Sequence, residues 1–290
     1  MTFKGFLFII ASALFHVLWN STLKKSHDKP SAVLLMMVVT VSGLAPYVLW
    51  HYPMEVILAP APLLSALSAG FFFFLYQYFV ALSYEKGELS LVYPLTVTGP
   101  VYIVLWSHLF LGERISAGGA LGIFLIIYGA VTLQTRQFTV FSMDSTTLAG
   151  NRAGVLTALG AAFFYSFGAI ADKIGVTHGN VAVYTMNLSV FMLIFHLLRM
   201  IFQRQMGLVI RAFAAAPLTL LGGGLVMLLS FVSFRMGLQE AYASYASALR
   251  QISTIFSLAI GYLVFREVLT VGRTISACLI VAGAVLIKVG

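Results

Sequence analysis

Arg250 stands in the first half of residues 243–265, ASYASALRQISTIFSLAIGYLVF, an otherwise apolar stretch long enough to cross a bilayer. At 1.5 Å rise per residue it would lie roughly 6 Å from the middle of the span, where insertion scales charge about 2.5 to 3.5 kcal/mol. Ser247, Gln251, Thr254 and Ser257 run along one helical stripe with Arg250 at its edge, while Leu249, Ile252, Ile255 and Phe256 fill the other side. Such a stripe must face a wet cavity or other protein. A guanidinium there has two uses. One is a structural pair with a carboxylate or with backbone carbonyls; the other is an anchor whose planar donors match a carboxylate or phosphate.

Other polar groups are placed at helical spacing. In the first apolar run Ser12, His16, Trp19 and Asn20 share a face. The plainer reading puts Trp19 in the interfacial belt and has His16 and Asn20 bond between helices. The sharper reading is a cavity wall, where indole and imidazole touch a small solute. Gln77, near Tyr76, Ser83, Tyr84 and four consecutive phenylalanines, either bridges helices or lines that cavity. Tyr93-Pro94, followed by Thr96, Thr98 and Pro100, predicts a kinked backbone with freed carbonyls, and makes Tyr93 a lining residue. Tyr165, Asn187 and Arg235 are the corresponding groups of the later sequence, with Arg235 near a span end and expected to snorkel to the headgroups. Glu113 and Glu267 sit in tight turns and read as caps for helix N-terminal amides.

The nine acidic residues, among them Asp172, fall in loops or close to helix ends. No buried carboxylate is expected to hold a lone cation or carry a proton, which favours an anionic or zwitterionic solute. His16, with an ordinary pKa near 6.5, is then the candidate for a coupling proton. The six histidines are scattered, no H-x-x-x-H or H-E-x-x-H spacing occurs, and no nucleophile has an evident base, so neither a metal, a cofactor nor catalysis is indicated.

The elements that must position these residues are membrane helices. With 60% apolar and 9% charged residues and a mean hydropathy of +0.98, the chain lies outside the range of soluble domains. Apolar runs near 20 residues, broken by short polar punctuation, indicate a helical bundle and not a β-barrel. The net charge of +8 reports topology and not nucleic-acid binding, because the basic residues gather at helix ends. The lone Cys278 excludes an internal disulfide and reads as a small packing residue. Residues 3–23 read as a retained helix, since no small-x-small cleavage site follows them.

Ten spans fit: about 3–23, 31–50, 63–84, 89–111, 116–133, 153–173, 182–202, 217–238, 243–265 and 271–288. The polar stretch 134–152 separates a first five-helix unit, 1–133, from a second, 153–290. Setting 109–133 against 263–287 without gaps gives eight identities in 25 positions, including Glu113 with Glu267 and the GAV triplets at 129 and 283. Because each unit has an odd number of spans, the second enters the membrane from the opposite side, an inverted repeat. The fold class expected is all-α integral membrane, ten transmembrane helices as two inverted five-helix repeats.

These features resemble the EamA family of the drug/metabolite transporter superfamily. Pro100 precedes Leu111-Gly112-Glu113 by the family's usual distance, and a G-x-x-L-I-x-x-G run follows at 122–129. The later unit departs: Thr254 replaces the proline, Phe265-Arg266 precedes Glu267, and Ser276 replaces the first glycine. The resemblance implies a ten-helix carrier with a central cavity lined by helices one, three, four, six, eight and nine, and with five and ten at the periphery. It sets the sequence apart from the small multidrug exporters of that superfamily, which depend on a mid-membrane glutamate.

Together the expectation is a secondary transporter in a bacterial cytoplasmic membrane, a monomer or weak homodimer, exporting an amino acid or related zwitterion or anion by rocking one unit against the other. An exchanger of phosphorylated or nucleotide-linked metabolites is the alternative, and a second cavity-facing base such as Arg235 would raise it; a non-transporting scaffold is the remote one. Basic residues divide 11 to 4 between the two sides, which by the positive-inside rule puts both termini outside, whereas the resemblance implies both in the cytoplasm. The substrate-binding residues expected are Arg250, Gln251, Ser247, Thr254, His16, Trp19, Asn20, Gln77, Tyr93 and Tyr165.

Overall fold

The computed structural model describes residues 1–96, 98–135, 151–266 and 270–289, which are helical or lie in the turns between helices. Most of the 134–152 connection, Glu267 and the Tyr93 side chain lie outside the described residues. Helix α1 (Phe3–Lys25) starts where Thr2 accepts from the Gly5 amide at 3.0 Å and ends on Lys24 and Lys25, whose charge meets the last carbonyls. Helix α2 (Lys29–His51) has a proline in its first turn, as does α4 (Pro60–Lys86), where a missing N–H leaves no bond unmade. A single turn, α3 (Met54–Ile57), joins them.

The stretches 89–111 and 243–265, expected as continuous spans, are each divided. The first becomes α5 (Leu89–Thr96) and α6 (Gly99–Leu111), and α7 (Ala117–Thr135) follows a left-handed Gly112. The second becomes α12 (Ala243–Leu249), a 3₁₀ turn (Arg250–Ile252) and α13 (Ser253–Phe265). Between the divided segments run α8 (Arg152–His178), α9 (Val181–Phe202), α10 (Met206–Ala215) and α11 (Pro217–Gln239), and α14 (Val271–Val289) closes the chain. The sequence offers no proline or glycine at Arg250, so the tightened turn there is a tertiary choice. A 3₁₀ turn inside a helix often marks a hinge or functional site.

Among the described residues, seven helices are long and apolar enough to cross a membrane: α1, α2, α4, α8, α9, α11 and α14. The chain is therefore a multi-pass membrane protein. Residues 203–216, read as a plain connection, hold α10, which buries Val209 against Leu34 and Met200 and exposes Ile210 and Phe213.

Helix pairing runs between the earlier and later sequence. α4 packs on α8 and α9, α1 and α2 pack on α11, α6 packs on α8, and α13 packs on α1. α2 meets α9, and α7 meets α14. Helices of one unit make few contacts among themselves, and their apolar faces are buried largely against the other unit. Without a hydrophobic drive in lipid, close van der Waals approach and hydrogen bonds hold such pairs. At α1–α11 the Ser12 and Ser230 hydroxyls each donate to the other's carbonyl, at 2.9 and 3.1 Å. At α7–α14 a Cβ on Gly122 would meet the Gly283 oxygen at 2.7 Å, and one on Gly129 would meet the Ser276 oxygen at 2.8 Å, so neither position has room for a side chain.

Candidate functional site

A cavity of about 450 Å³ lies where α1, α4, α6, α8, α11 and the divided α12–α13 segment converge. Its size is within the range of small-molecule sites. One end is deeply enclosed: Asp172, Leu238, Ala243 and Ser247 there are buried, Asp172 to 1%. The other end reaches Leu23, Val33 and Tyr84, the last 39% exposed, near the exposed lysines at the ends of α1 and α4. The first end is thus the more enclosed of the two.

Of the residues expected from sequence, Arg250, Gln251, Ser247, His16, Trp19, Asn20, Gln77 and Tyr165 all line it. Thr254 does not. Its hydroxyl donates at 2.7 Å to the Gln251 carbonyl, a partner of its own segment, and Ser253 takes the lining position. The 3₁₀ turn rotates the following helix, so a stripe drawn at constant pitch through 247, 251 and 254 loses its last member. Ser12, on the His16 face, is spent on the α1–α11 contact. Asn187 is also structural, its amide donating to the Ile57 carbonyl at 2.8 Å.

Two expectations about charge are corrected. Arg235 does not snorkel; it is 4% exposed, lines the cavity, and donates from Nε to Asp172 Oδ1 at 2.9 Å and from a terminal nitrogen to the Phe231 carbonyl at 3.3 Å. Asp172 is accordingly a buried carboxylate on the cavity wall, not a helix-end group. The cause is helix length: α8 continues to His178, which carries Asp172 inside the span instead of leaving it at the edge. Both ions are tolerable there because each supplies the other's countercharge. The signal was present in sequence as one acid and one base at matching depth, but only packing of α8 on α11 pairs them.

Arg250 is only partly buried, its exposure being to the cavity. Its guanidinium lies 4.3 Å from the Phe234 ring centroid and one terminal nitrogen is 3.3 Å from His16 Nδ1. A guanidinium has no acceptor, so His16 receives this hydrogen bond with Nδ1 unprotonated. His16 meets Trp19 edge-on at 5.3 Å, and Tyr165 packs beside Phe73 and Tyr76 at 5.8 and 5.1 Å. Trp19 Nε1 and Ser247 Oγ are buried without a hydrogen-bond partner among the described residues.

The arginine-bearing segment is held by a residue of the first five-helix unit. Glu113, 4% exposed, accepts from the Ala243 amide at 2.5 Å, the Ser244 amide at 3.3 Å and the Ser244 hydroxyl at 2.7 Å. It caps α12 and not the helix that follows it in sequence. Glu113→Ala is expected to lower stability by about 1 to 2 kcal/mol, read as a fall in the unfolding midpoint of detergent-purified protein. An unchanged midpoint would show that the cap is dispensable.

The enclosed end is zipped by three sets of contacts, all between α8 and α11. Besides Asp172–Arg235, Lys173 Nζ donates to the Leu238 and Gln239 carbonyls at 2.9 and 3.3 Å, and the Gln239 amide donates to the Val176 carbonyl at 3.0 Å.

A model of the EamA-like transporter family matches residues 3–135 and 152–289. No curated protein matches the chain. A solved structure described only as "Crystal structure of protein" superposes with a TM-score of 0.72 at 17% identity, over 99% of this chain and 97% of that one. At that identity the likeness is one of fold alone.

Proposed function

The chain belongs to the EamA-like transporter family, part of the drug/metabolite transporter superfamily, and from that premise we propose that it is a secondary transporter of a small carboxylate-bearing metabolite, zwitterion or anion, working in the export direction. The observation that carries this reading is Arg250, a guanidinium without a carboxylate partner among the described residues, facing an enclosed cavity from the turn of a divided helix. His16, Trp19, Asn20, Gln77, Ser247, Gln251 and Tyr165 complete the proposed site. Tyr93 stays a proposed member on sequence grounds.

We read the architecture as ten spans in two inverted repeats, 1–133 and 153–290, joined by 134–152. The gapless register that sets Glu113 on Glu267 also sets Thr96 on Arg250, the last residue of α5 on the start of the 3₁₀ turn. It exchanges the Gly122–Gly283 contact with Gly129–Ser276, as a twofold axis between α7 and α14 requires. The pairings α1–α11 and α4–α8 interchange under the same operation. Alternating access then moves composite bundles, α1, α2, α11 and α13 against α4, α6, α8 and α9, rather than one repeat against the other. The α8–α11 contacts are the gate that must part.

The less enclosed end bears Lys24, Lys25 and Lys86, so the positive-inside rule has it face the cytoplasm and both termini face outward in a bacterial inner membrane. A reporter fused after the last residue, active only in the cytoplasm, would reverse that orientation. A monomer or weak homodimer suffices, because a single chain supplies the whole cavity wall. Arg235 on the cavity wall favours the alternative of a phosphorylated-metabolite exchanger, but Asp172 already neutralises it, which keeps that reading second. The chain is read as a carrier and not an enzyme or a scaffold.

The test is a thermal-stability screen of purified protein against amino acids, organic acids, sugars and phosphorylated metabolites, then counterflow in proteoliposomes with the stabilising compound. Stabilisation followed by saturable counterflow is expected; binding without any counterflow would leave a scaffold. Coupling to protons is assigned to His16, since a proton on Nδ1 removes the acceptor of the Arg250 bond and sets two cations together. His16→Gln keeps an acceptor but does not titrate, so transport is expected to persist with its pH dependence lost. An unchanged pH profile would remove His16 from that role.

A further inference from the structure

The charges facing the cavity do not cancel. Arg235 and Arg250 are positive, Asp172 is negative, and the remaining lining residues carry no fixed charge. Arg235 is engaged by Asp172 at 2.9 Å and by the Phe231 carbonyl at 3.3 Å. Among the described residues the Arg250 guanidinium meets the Phe234 ring face and His16, and the hydrogen bond to His16 requires an unprotonated Nδ1. One positive charge is left for a solute to meet.

Two further lining residues carry a buried polar atom. The Trp19 indole N–H can only donate, and it is buried without an acceptor among the described residues. The Ser247 hydroxyl, 3% exposed, also has no partner among the described residues, and it stands one helical turn or less from Arg250. Beyond Arg250 the wall turns apolar and aromatic, with Phe73 and Tyr76 each in ring contact with Tyr165.

We infer that the cavity takes an organic monoanion, with its carboxylate against Arg250 and a flat apolar body against the rings of Phe73, Tyr76 and Tyr165. This rests on reading the cavity as the transport site and narrows its substrate class. The ammonium of a zwitterion would have to win Asp172 from Arg235. A phosphate dianion would need a second free cation. Neither is provided, and an unpaired charge carried into this enclosed site is penalised.

The test uses probes that share a phenyl ring and differ in charge: 3-phenylpropanoate, L-phenylalanine, phenethylamine and phenyl phosphate, titrated by thermal shift against the full-length purified protein. 3-Phenylpropanoate is expected to bind about tenfold or more tightly than phenylalanine or phenyl phosphate, with phenethylamine giving no shift. Changing the charge count should change the preference, each variant being read against its own unliganded midpoint. Arg235→Gln releases Asp172 and should turn the preference towards phenylalanine; Asp172→Asn leaves two cations and should turn it towards phenyl phosphate. If one variant does not fold, the other still reads the arithmetic. Wild-type protein that binds phenylalanine or phenyl phosphate as tightly as 3-phenylpropanoate, or that binds none of the four, overturns the monoanion assignment. Counterflow with some other compound would then leave the carrier reading standing.

Discussion

Arg250→Ala is expected to abolish saturable counterflow while the protein still purifies as a folded, monodisperse species. The guanidinium is partly exposed to the cavity and has no carboxylate to strand, so its removal leaves no uncompensated buried ion. What is lost is the ligand's charge-assisted pair, worth about 1.5 to 3 kcal/mol, or roughly 10- to 150-fold in affinity. The Phe234 ring and His16 lose a neighbour but keep their places on α11 and α1. Arg250→Lys separates charge from shape. A lysine keeps the positive charge but offers a point donor in place of a planar fork, so it should recover only part of the lost affinity. Arg250→Ala protein with wild-type counterflow would show that the solute never touches this group.

Breaking the Asp172–Arg235 pair from one side is expected to damage the protein more than removing it from both. Each ion is nearly inaccessible, so Asp172→Leu leaves a buried guanidinium, and Arg235→Met a buried carboxylate, at about 3 to 5 kcal/mol each. The double replacement removes both desolvation penalties and should regain most of that loss. A double-mutant cycle on unfolding midpoints reads the difference as coupling. Additive losses would show that the two side chains do not act as a pair. The refolded double variant also reports on the gate. Lys173 and Gln239 still join α8 to α11, but the enclosed end has lost its ionic contact, so it should become more accessible to a membrane-impermeant thiol reagent at a cysteine placed at Ala243. Unaltered labelling would mean that the ion pair does not hold that end shut.

Much of the polar lining of the cavity was legible in the chain because a bilayer makes polarity informative. In a solvent that cannot hydrate them, Arg250, His16, Asn20 and Gln77 had to face something other than lipid, and all four line one cavity. Helical spacing within one segment placed His16, Trp19 and Asn20 together, since that spacing is a local property of the α-helix. Spacing failed at Thr254, where the 3₁₀ turn at Arg250 altered the pitch and no proline or glycine announced it. It failed again for Asp172, because the sequence does not say how far α8 runs past the apolar core.

The amino-acid sequence by itself determined that this is a helical membrane protein, that its polar stripes face inward, and that Glu113 belongs at a helix N-terminus. Those follow from transfer free energy, helical periodicity and the orphan amides of a helix end, all of them local. Which helix Glu113 caps, which base Asp172 pairs with, and which strips of the earlier and later sequence interlock were decided by tertiary packing. Those are contacts between residues more than 60 positions apart. In a bundle whose outer faces are uniformly apolar, many neighbours satisfy the same pattern, and only close fit at pairs such as Gly122–Gly283 selects among them.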